Sequence, residues 1–372
     1  MSDSASPFKL DSADDPLARH RAFWDRRSAD RPLLGCNLGM FMDERYPRTA
    51  DALPDGPVHP DDIDIGAFLA DCEDLYRRHV ELGDDYPYTG CALKFVPWME
   101  AIMGCPIHTS RTSMWAEPCS GTVAGCLRRP SLDDNPWARK LVQMLEAVAG
   151  HARGRYPVSA TLMRGTSDML AAMRGAAQFP MDLYDDPEEV RKALDVCADV
   201  WIEVERAQLA IIPESDRGYM DGDRGMRFWA PQKPMWLQED ASSLLSPTLY
   251  KEFVLPVDRR IASGFSACAF HIHSVCHWLV DSIIAAPEFQ VVEIDFDDIR
   301  TAADVDRVFA ACKRILARKR AIVYRSYDEG FWPWLDRARV ELEFRGLSIQ
   351  TSVRNLEEGI SVRSQFMENF KP

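Results

Sequence analysis

The clearest pattern in the chain is an alternation, from residue 235 onward, of short apolar runs with longer stretches whose apolar residues recur at helical spacing. Short apolar runs bounded by polar residues are typical of buried strands, and the longer stretches are typical of amphipathic helices. The predicted strands are 235–238, 267–273, 291–295, 321–324 and 347–351, and the predicted helices are 246–263, 275–285, 302–317 and 329–345. This repeated βα order predicts an α/β protein with a parallel sheet.

The first part of the chain continues the pattern less regularly. Predicted strands lie at 33–40 and 157–163, predicted helices at 65–82, 136–151 and 187–211, and predicted loops rich in Pro, Gly and Asp at 43–62 and 213–234. We interpret the second loop as too polar for the core. Because no glycine-rich phosphate loop opens a helix, the rhythm favours a closed (β/α)8 TIM barrel over an open doubly wound sheet. We expect a single barrel domain over 17–372 after a loose segment at 1–16.

Charge and cysteine content narrow the class of protein. The chain has 58 acidic and 44 basic residues, a net charge of −14, and it is therefore expected to repel nucleic acid and anionic lipid. Its ten cysteines are scattered without a CxxC pair, which predicts reduced thiols in a cytoplasmic protein. No membrane span is predicted, because the sequence has no long stretch free of ionisable side chains. These features favour a small-molecule substrate.

Two histidines supply the strongest candidate chemistry. His271 and His273 end a predicted strand, and residues two apart in a strand share one face. Two neutral imidazoles on one face can hold zinc, which needs three or four N, S or O ligands, and Cys276 follows within one turn. The alternative is that the histidines bond to neighbours or carry protons in general acid/base work.

Carboxylates end the two neighbouring strands of the prediction. Glu239 and Asp240 follow strand 235–238 and can complete a metal shell, serve as a general acid or base, or cap the next helix. Glu293, Asp295 and Asp297 alternate along the strand after the histidines and are therefore expected on one face.

Five further residues are candidates for substrate binding. Arg164 follows strand 157–163, and its guanidinium can bind a substrate carboxylate or phosphate. Tyr219 and Asp221 lie in the polar loop before strand 235–238, and Tyr324 ends a later strand. Trp236 belongs to an aromatic set that can line a pocket for a flat ligand. The alternatives are surface ion pairs for the polar residues and core packing for the tryptophan.

Two motifs carry a resemblance to a known family. The stretch 246–256 reads SPTLYKEFVLP and is similar to an SP-x-x-(Y/F)-x-E-F-x-x-P helix, and His271-Ile272-His273-Ser274 is similar to a His-x-Cys-Gly strand end. On these motifs the chain resembles the uroporphyrinogen decarboxylase superfamily over most of residues 17–370. The resemblance implies a (β/α)8 barrel that often forms homodimers.

Departures from the family pattern separate its branches. The arginine-rich loop with which the tetrapyrrole decarboxylase grips its acidic substrate is replaced at 36–43 by CNLGMFMD, so the haem-pathway activity is not expected. The corrinoid methyltransferase branch holds zinc with the His and Cys of the strand end and a later Cys. Here His271 matches the first position, His273 replaces the Cys, and the later Cys has no match. Glu239 is the predicted substitute ligand, and Cys276 is the next choice.

Three functional hypotheses follow. The leading one is a zinc-dependent methyltransferase-like enzyme whose substrate lies near Arg164 and Tyr219, with any corrinoid carried by a separate protein. The second is a metal-free decarboxylase in which His273 or Asp240 protonates the carbanion left by carbon dioxide. The third is a non-catalytic barrel that binds a corrinoid or a partner protein.

Overall fold

The computed structural model describes residues 16–215, 217–222 and 226–370. The strands are β1 (Leu33–Leu38), β2 (Gly56–Val58), β3 (Ile107–Thr109), β4 (Met114–Ala116), β5 (Tyr219–Asp221), β6 (Phe228–Ala230), β7 (Pro234–Gln238), β8 (Ala267–Ile272), β9 (Val291–Asp295), β10 (Arg320–Tyr324) and β11 (Leu347–Val353). Six of them form one parallel sheet in the order β1-β11-β10-β9-β8-β7. The predicted α/β class and parallel sheet are confirmed.

Helices connect these strands. They are α1 (Pro16–Trp24), α2 (Met42–Arg45), α3 (Pro47–Ala52), α4 (Ile65–Leu82), α5 (Trp98–Ile102), α6 (Pro136–Ala152), α7 (Thr166–Arg174), α8 (Phe179–Asp185), α9 (Pro187–Ile211), α10 (Pro247–Leu249), α11 (Leu255–Ala262), α12 (Val280–Ala285), α13 (Ala302–Arg318), α14 (Phe331–Glu341) and α15 (Leu356–Asn369). Short 3-10 helices at Asp240–Leu244 and Ser274–Leu279 follow β7 and β8, and a π-helical turn at Tyr250–Val254 joins α10 to α11. No helix in the described part of the chain has the length and apolar character of a membrane span.

Alternating residues of the parallel strands divide between two apolar clusters. Residues of one parity, such as Phe270 and Val292, belong to the large cluster that the helices pack against. Residues of the other parity, such as Ala269 and Val291, belong to a second cluster that includes Tyr86 and Phe228. Towards the carboxyl ends of the strands this second face turns polar, and the candidate site lies there.

Two irregular segments stand where an eightfold repeat predicts further strands. Gly90 and Val158 form a single parallel bridge, and the predicted strand 157–163 has no longer ladder. The backbone N–H of Asp85 donates to the carbonyl of Leu34 in β1 over 3.1 Å, and the Asp85 carboxylate accepts the Leu34 N–H over 2.7 Å. These contacts attach the first segment to the sheet. Closure into a barrel stays a prediction, as does the single domain over 17–372, and residues 1–15 lie outside the described residues.

The prediction for 213–234 was wrong. This stretch contains the antiparallel hairpin β5–β6, in which Phe228, Trp229 and Ala230 are all buried. The Phe228 ring makes an edge-to-face contact with the indole of Trp236 in β7, and the ring centroids are 5.4 Å apart. The stretch is polar on average, but it includes three consecutive apolar residues that belong to the second cluster. Stretch 43–62, also predicted as a loop, contains most of α2 and all of α3 and β2.

Candidate metal centre

The two histidines lie side by side at the carboxyl end of β8. His271 is the fifth residue of that strand, and His273 is the N-cap residue of the following 3-10 helix. Their ring centroids are 4.5 Å apart and the rings are nearly perpendicular, at 83°. The two imidazoles therefore share one face, as the spacing of two predicted.

A carboxylate from the neighbouring strand holds each imidazole at its Nδ1 atom. Parallel pairing sets His271 opposite Glu293, whose Oε2 accepts the hydrogen bond of His271 Nδ1. Asp297 Oδ2 lies 2.5 Å from His273 Nδ1, and Asp297 also accepts the backbone N–H of Ser274. A carboxylate at Nδ1 fixes the orientation of the ring and directs Nε2 outward, which is the usual arrangement behind a metal-binding histidine.

Asp240 is the third member of the cluster. Its Oδ1 lies 3.3 Å from Nε2 of His273 and 4.0 Å from Nε2 of His271. Oδ1 is buried, and it faces these two imidazole nitrogens. Asp168 positions this residue, since its carboxylate accepts the backbone N–H groups of Asp240 over 3.2 Å and of Ala241 over 2.6 Å. One ligand atom from each of Asp240, His271 and His273 can reach a common ion.

A second set of ligand atoms shares His273. It combines His273 with Asp295 and Asp297. Burial and the nearby charges of Glu293 and Asp297 raise the pKa of Asp295 well above its usual range. Asp295 therefore favours its protonated form, which makes it a weaker ligand than the carboxylate of Asp240.

The charges of the cluster are strongly coupled. Burial lowers the pKa of His273, but the hydrogen bonds and charges of Asp240 and Asp297 outweigh it and raise this pKa to about 11. Burial alone would raise the pKa of Asp240. The two nearby histidines lower it by more, so this pKa lies below its usual value. His273 is thus an imidazolium between two carboxylates near neutral pH, and an ionised Asp240 is suited to be a ligand rather than a proton donor.

Glu239, the predicted substitute ligand, is placed elsewhere. Its Oε1 accepts the backbone N–H of Thr166 and its Oε2 that of Ser167, each over 2.8 Å. The hydroxyls of both residues also donate to this carboxylate. Glu239 therefore accepts the backbone N–H groups at the N-terminus of α7 and does not belong to the cluster with the histidines. Burial and the nearby Asp258 raise its pKa well above the usual range. Asp240 occupies the position predicted for Glu239.

Cys276, the next predicted ligand, also lies outside the cluster. It is buried, and its sulfur accepts a hydrogen bond from the hydroxyl of Ser242 over 3.6 Å. Burial raises the pKa of this thiol, which disfavours the thiolate that a metal needs.

Arg164 and Tyr324 lie at the same end of the sheet as the cluster. Arg164 is about half exposed and its guanidinium lies 3.3 Å from the fully buried carboxylate of Glu100. Burial lowers the pKa of Arg164, but the charges of Glu100, Asp168 and Asp240 outweigh it and raise the pKa. Tyr324 pairs in register with Asp295, and its hydroxyl donates to Ser352 over 2.7 Å.

Tyr219, Asp221 and Trp236 do not join them. Tyr219 and Asp221 belong to the β5–β6 hairpin, and Trp236 lies in β7 against that hairpin. Asp221 and Trp236 line, with other described residues, a cavity of about 10 Å³, which admits no more than a water molecule. The structure therefore places Trp236 in the second cluster and Tyr219 against the large cluster, away from the histidines.

Glu100 and Asp168 were not predicted from the sequence. Glu100 lies in α5 and fixes Arg164, and Asp168 lies in α7 and fixes the backbone of Asp240. Both are separated from their partners by more than sixty residues, 64 and 72 in the two cases, so local spacing carried no signal for them.

Comparison with known proteins gives a match of fold. No family model matches the chain, and no curated protein matches it. Among solved structures the fold is similar to that of a methyltransferase from Methanosarcina mazei, with a TM-score of 0.63 at 14% identity. The alignment covers 96% of this chain and 99% of that one. At this identity the likeness establishes a shared fold over nearly the whole chain.

Proposed function

We propose that the protein is a zinc-dependent, methyltransferase-like enzyme that acts on a small organic substrate. The observation that carries this proposal is the convergence of three ligand atoms: Nε2 of His271, Nε2 of His273 and Oδ1 of Asp240. We further propose that the segments at Gly90 and Val158 close the sheet into an eightfold barrel, so that the site lies at its carboxyl-end mouth.

The donor set fits zinc. Two imidazoles and one carboxylate are the protein ligands of many catalytic zinc sites, which leave a fourth position open to substrate. Fe(II) can use the same set. The buried Oδ1 of Asp240, which faces the Nε2 atoms of both histidines, and the two carboxylates behind the imidazoles favour a cation at this point.

The residues around the site divide the remaining work. When bound, zinc acts as a Lewis acid and favours the deprotonated form of a nucleophile such as a thiol. Glu293 and Asp297 hold the imidazoles in orientation. Arg164, half exposed and anchored by Glu100, can bind an anionic group of the substrate and place it beside Asp240. We therefore favour small thiols that carry a carboxylate as methyl acceptors.

The likeness to a methyltransferase and the motif resemblance favour methyl transfer, with the methyl group coming from a corrinoid on another protein. The test uses free methylcobalamin as methyl donor and a panel of small mercapto-carboxylic acids, with mass spectrometry of the S-methyl product. We expect product formation that EDTA abolishes and one equivalent of zinc restores. Product formation that is unchanged by EDTA would contradict the zinc role, and no product with any donor or acceptor would favour a binding barrel.

Zinc binding is expected to depend steeply on pH. The pKa of His273 is raised to about 11, so the metal must displace a proton from this residue at every pH below that value. The apparent dissociation constant should therefore fall about tenfold per pH unit for each proton displaced, between pH 6 and 8. Titration calorimetry in buffers of different ionisation enthalpy counts these protons. A constant affinity across this range, with no proton release, would contradict the arrangement.

A metal-free decarboxylase is the second candidate. The observation in its favour is the imidazolium of His273, held between Asp240 and Asp297, at the end of the sheet where Arg164 can orient a carboxylate. Its proton would go to the carbanion left by carbon dioxide. Release of carbon dioxide from a carboxylated substrate in the presence of EDTA would favour this candidate over methyl transfer.

A further inference from the structure

Two cysteines lie together at the open end of the antiparallel ribbon β3–β4. β3 pairs with β4 through Ile107 and Ala116, and the backbone N–H of Glu117 donates to the carbonyl of Pro106 over 2.8 Å, which extends the pairing by one step. Cys105 and Cys119 follow on the two sides of this extension, and their sulfur atoms are 3.6 Å apart. The ribbon therefore holds the two thiols in contact although fourteen positions separate them in the chain.

The environments of the two thiols differ. All ten cysteines lie within the described residues, and Cys119 alone among them is exposed, whereas Cys105 is buried. The Cys105 thiol donates a hydrogen bond to the Cys119 sulfur, and this bond lowers the pKa of Cys119 to about 7. The same bond, with burial, raises the pKa of Cys105 far above its usual range. An exposed sulfur that ionises readily thus lies against a buried thiol that holds its proton.

A third thiol lies nearby but is held differently. Cys126 is buried in the short 3-10 helix Ala124–Leu127, and its thiol is directed to the carbonyl of Thr122 over 3.7 Å. Burial raises its pKa. Cys105, in direct contact with Cys119, is therefore the better placed partner.

We infer that Cys105 and Cys119 form a peroxide-sensitive dithiol, in which Cys119 is oxidised first and Cys105 then closes a reversible disulfide. In the first step the Cys119 thiolate attacks one oxygen of a hydroperoxide, the O–O bond breaks, and the sulfur becomes a sulfenic acid while hydroxide or alkoxide leaves. In the second step the sulfur of Cys105 attacks the sulfenic sulfur, the S–O bond breaks, and water leaves with the Cys105 proton. Together, two thiols and one peroxide give one disulfide and two molecules of water or one each of water and alcohol.

The contact between the two sulfur atoms favours the second step, because the attacking sulfur already lies beside the sulfur that is oxidised. A disulfide bond of about 2.05 Å needs the two sulfurs about 1.5 Å closer than they are. The pair uses none of the atoms of the candidate metal centre, so this inference is independent of the proposed function.

The test treats the EDTA-washed full-length protein with one equivalent of hydrogen peroxide at pH 7. We expect the intact mass to fall by two hydrogens, peptide mapping to join Cys105 to Cys119, and dithiothreitol to reverse the change. Cys119→Ser should abolish disulfide formation, and because this side chain is exposed the fold should tolerate it. Cys126→Ser, the matched control, should retain the disulfide.

A second measurement follows the reactivity of Cys119 itself. In Cys105→Ala the sulfenic acid has lost its partner and should be trapped at Cys119 by dimedone. The pH at half-maximal alkylation of Cys119 by iodoacetamide should also rise by about one unit or more, because the donated hydrogen bond is gone. In Cys105→Ser, whose hydroxyl can still donate, this rise should be smaller. A disulfide that joins Cys119 to Cys126 instead, or no loss of hydrogen in the wild-type protein, would overturn the inference.

Discussion

Replacing His271 by alanine is expected to weaken zinc binding by more than about 100-fold. Loss of an outer partner of a metal ligand already costs about 10-fold to 100-fold in affinity, and His271 is proposed as a ligand itself. Its Nε2 faces Asp240 and its Nδ1 is held by Glu293, so the variant leaves only two of the three proposed ligands at this point. Competition with a chromophoric chelator at pH 7.5 measures the affinity.

Two matched variants separate the metal site from general effects of substitution. His277→Ala removes a neighbouring histidine whose Nδ1 lies 3.1 Å from the carbonyl of Ser274, outside the cluster, and should leave the zinc affinity within about threefold. Glu239→Gln should do the same, since Glu239 binds the N-terminus of α7. Equal losses in all three variants, or full zinc binding by His271→Ala, would contradict the assigned ligand set.

The βα pattern from residue 235 onward allowed much of the sheet to be predicted. The strand predicted at 291–295 matches β9, and the strand predicted at 267–273 exceeds β8 by one residue. Apolar runs flanked by amphipathic helices have few alternative structures, because only a parallel sheet covered by helices buries both. The shared face of His271 and His273 followed from the same pleat.

Asp240, and not Glu239, lies in the cluster with the two histidines, and the sequence contains a signal for this placement. Trp236 and Gln238 have the same parity in β7, and Gln238 pairs in register with His271. Asp240 continues this parity, whereas Glu239 has the opposite one. Parity alone therefore favours Asp240 for the face on which the histidines lie. Parity does not predict the register between neighbouring strands, because register is set when the sheet folds.

Contacts over long separations account for the remaining differences. The β5–β6 hairpin was predicted as a polar loop, because the buried surface it covers is made by residues far away in the chain, such as Trp24 of α1. The attachment of the segment around residue 85 also depends on the carboxylates of Asp84 and Asp85, which accept N–H groups of β1 in place of a strand ladder. Neither kind of contact has a local period.

This attachment leads to the largest expected effect on stability: Asp85→Asn should lower the free energy of unfolding by about 3–5 kcal/mol. The Asp85 carboxylate binds both terminal nitrogens of Arg31, over 2.5 and 2.8 Å, and also accepts the Leu34 N–H. Both side chains of the ion pair are buried, at 6% and 7% exposure. The amide of asparagine keeps the shape but leaves the Arg31 charge buried without its counter-charge, which is the costly outcome for such a pair.

The control uses an ion pair of the same chemistry at the surface. Asp51 contacts Arg111, and both side chains are more than half exposed, so Asp51→Asn should change the free energy of unfolding by less than about 1 kcal/mol. Urea denaturation followed by far-ultraviolet circular dichroism compares the two variants with the wild-type protein. Similar small losses for Asp85→Asn and Asp51→Asn would contradict the role of Asp85. A loss confined to Asp85→Asn is expected, because this carboxylate binds the buried Arg31 and also joins β1 to the adjacent segment.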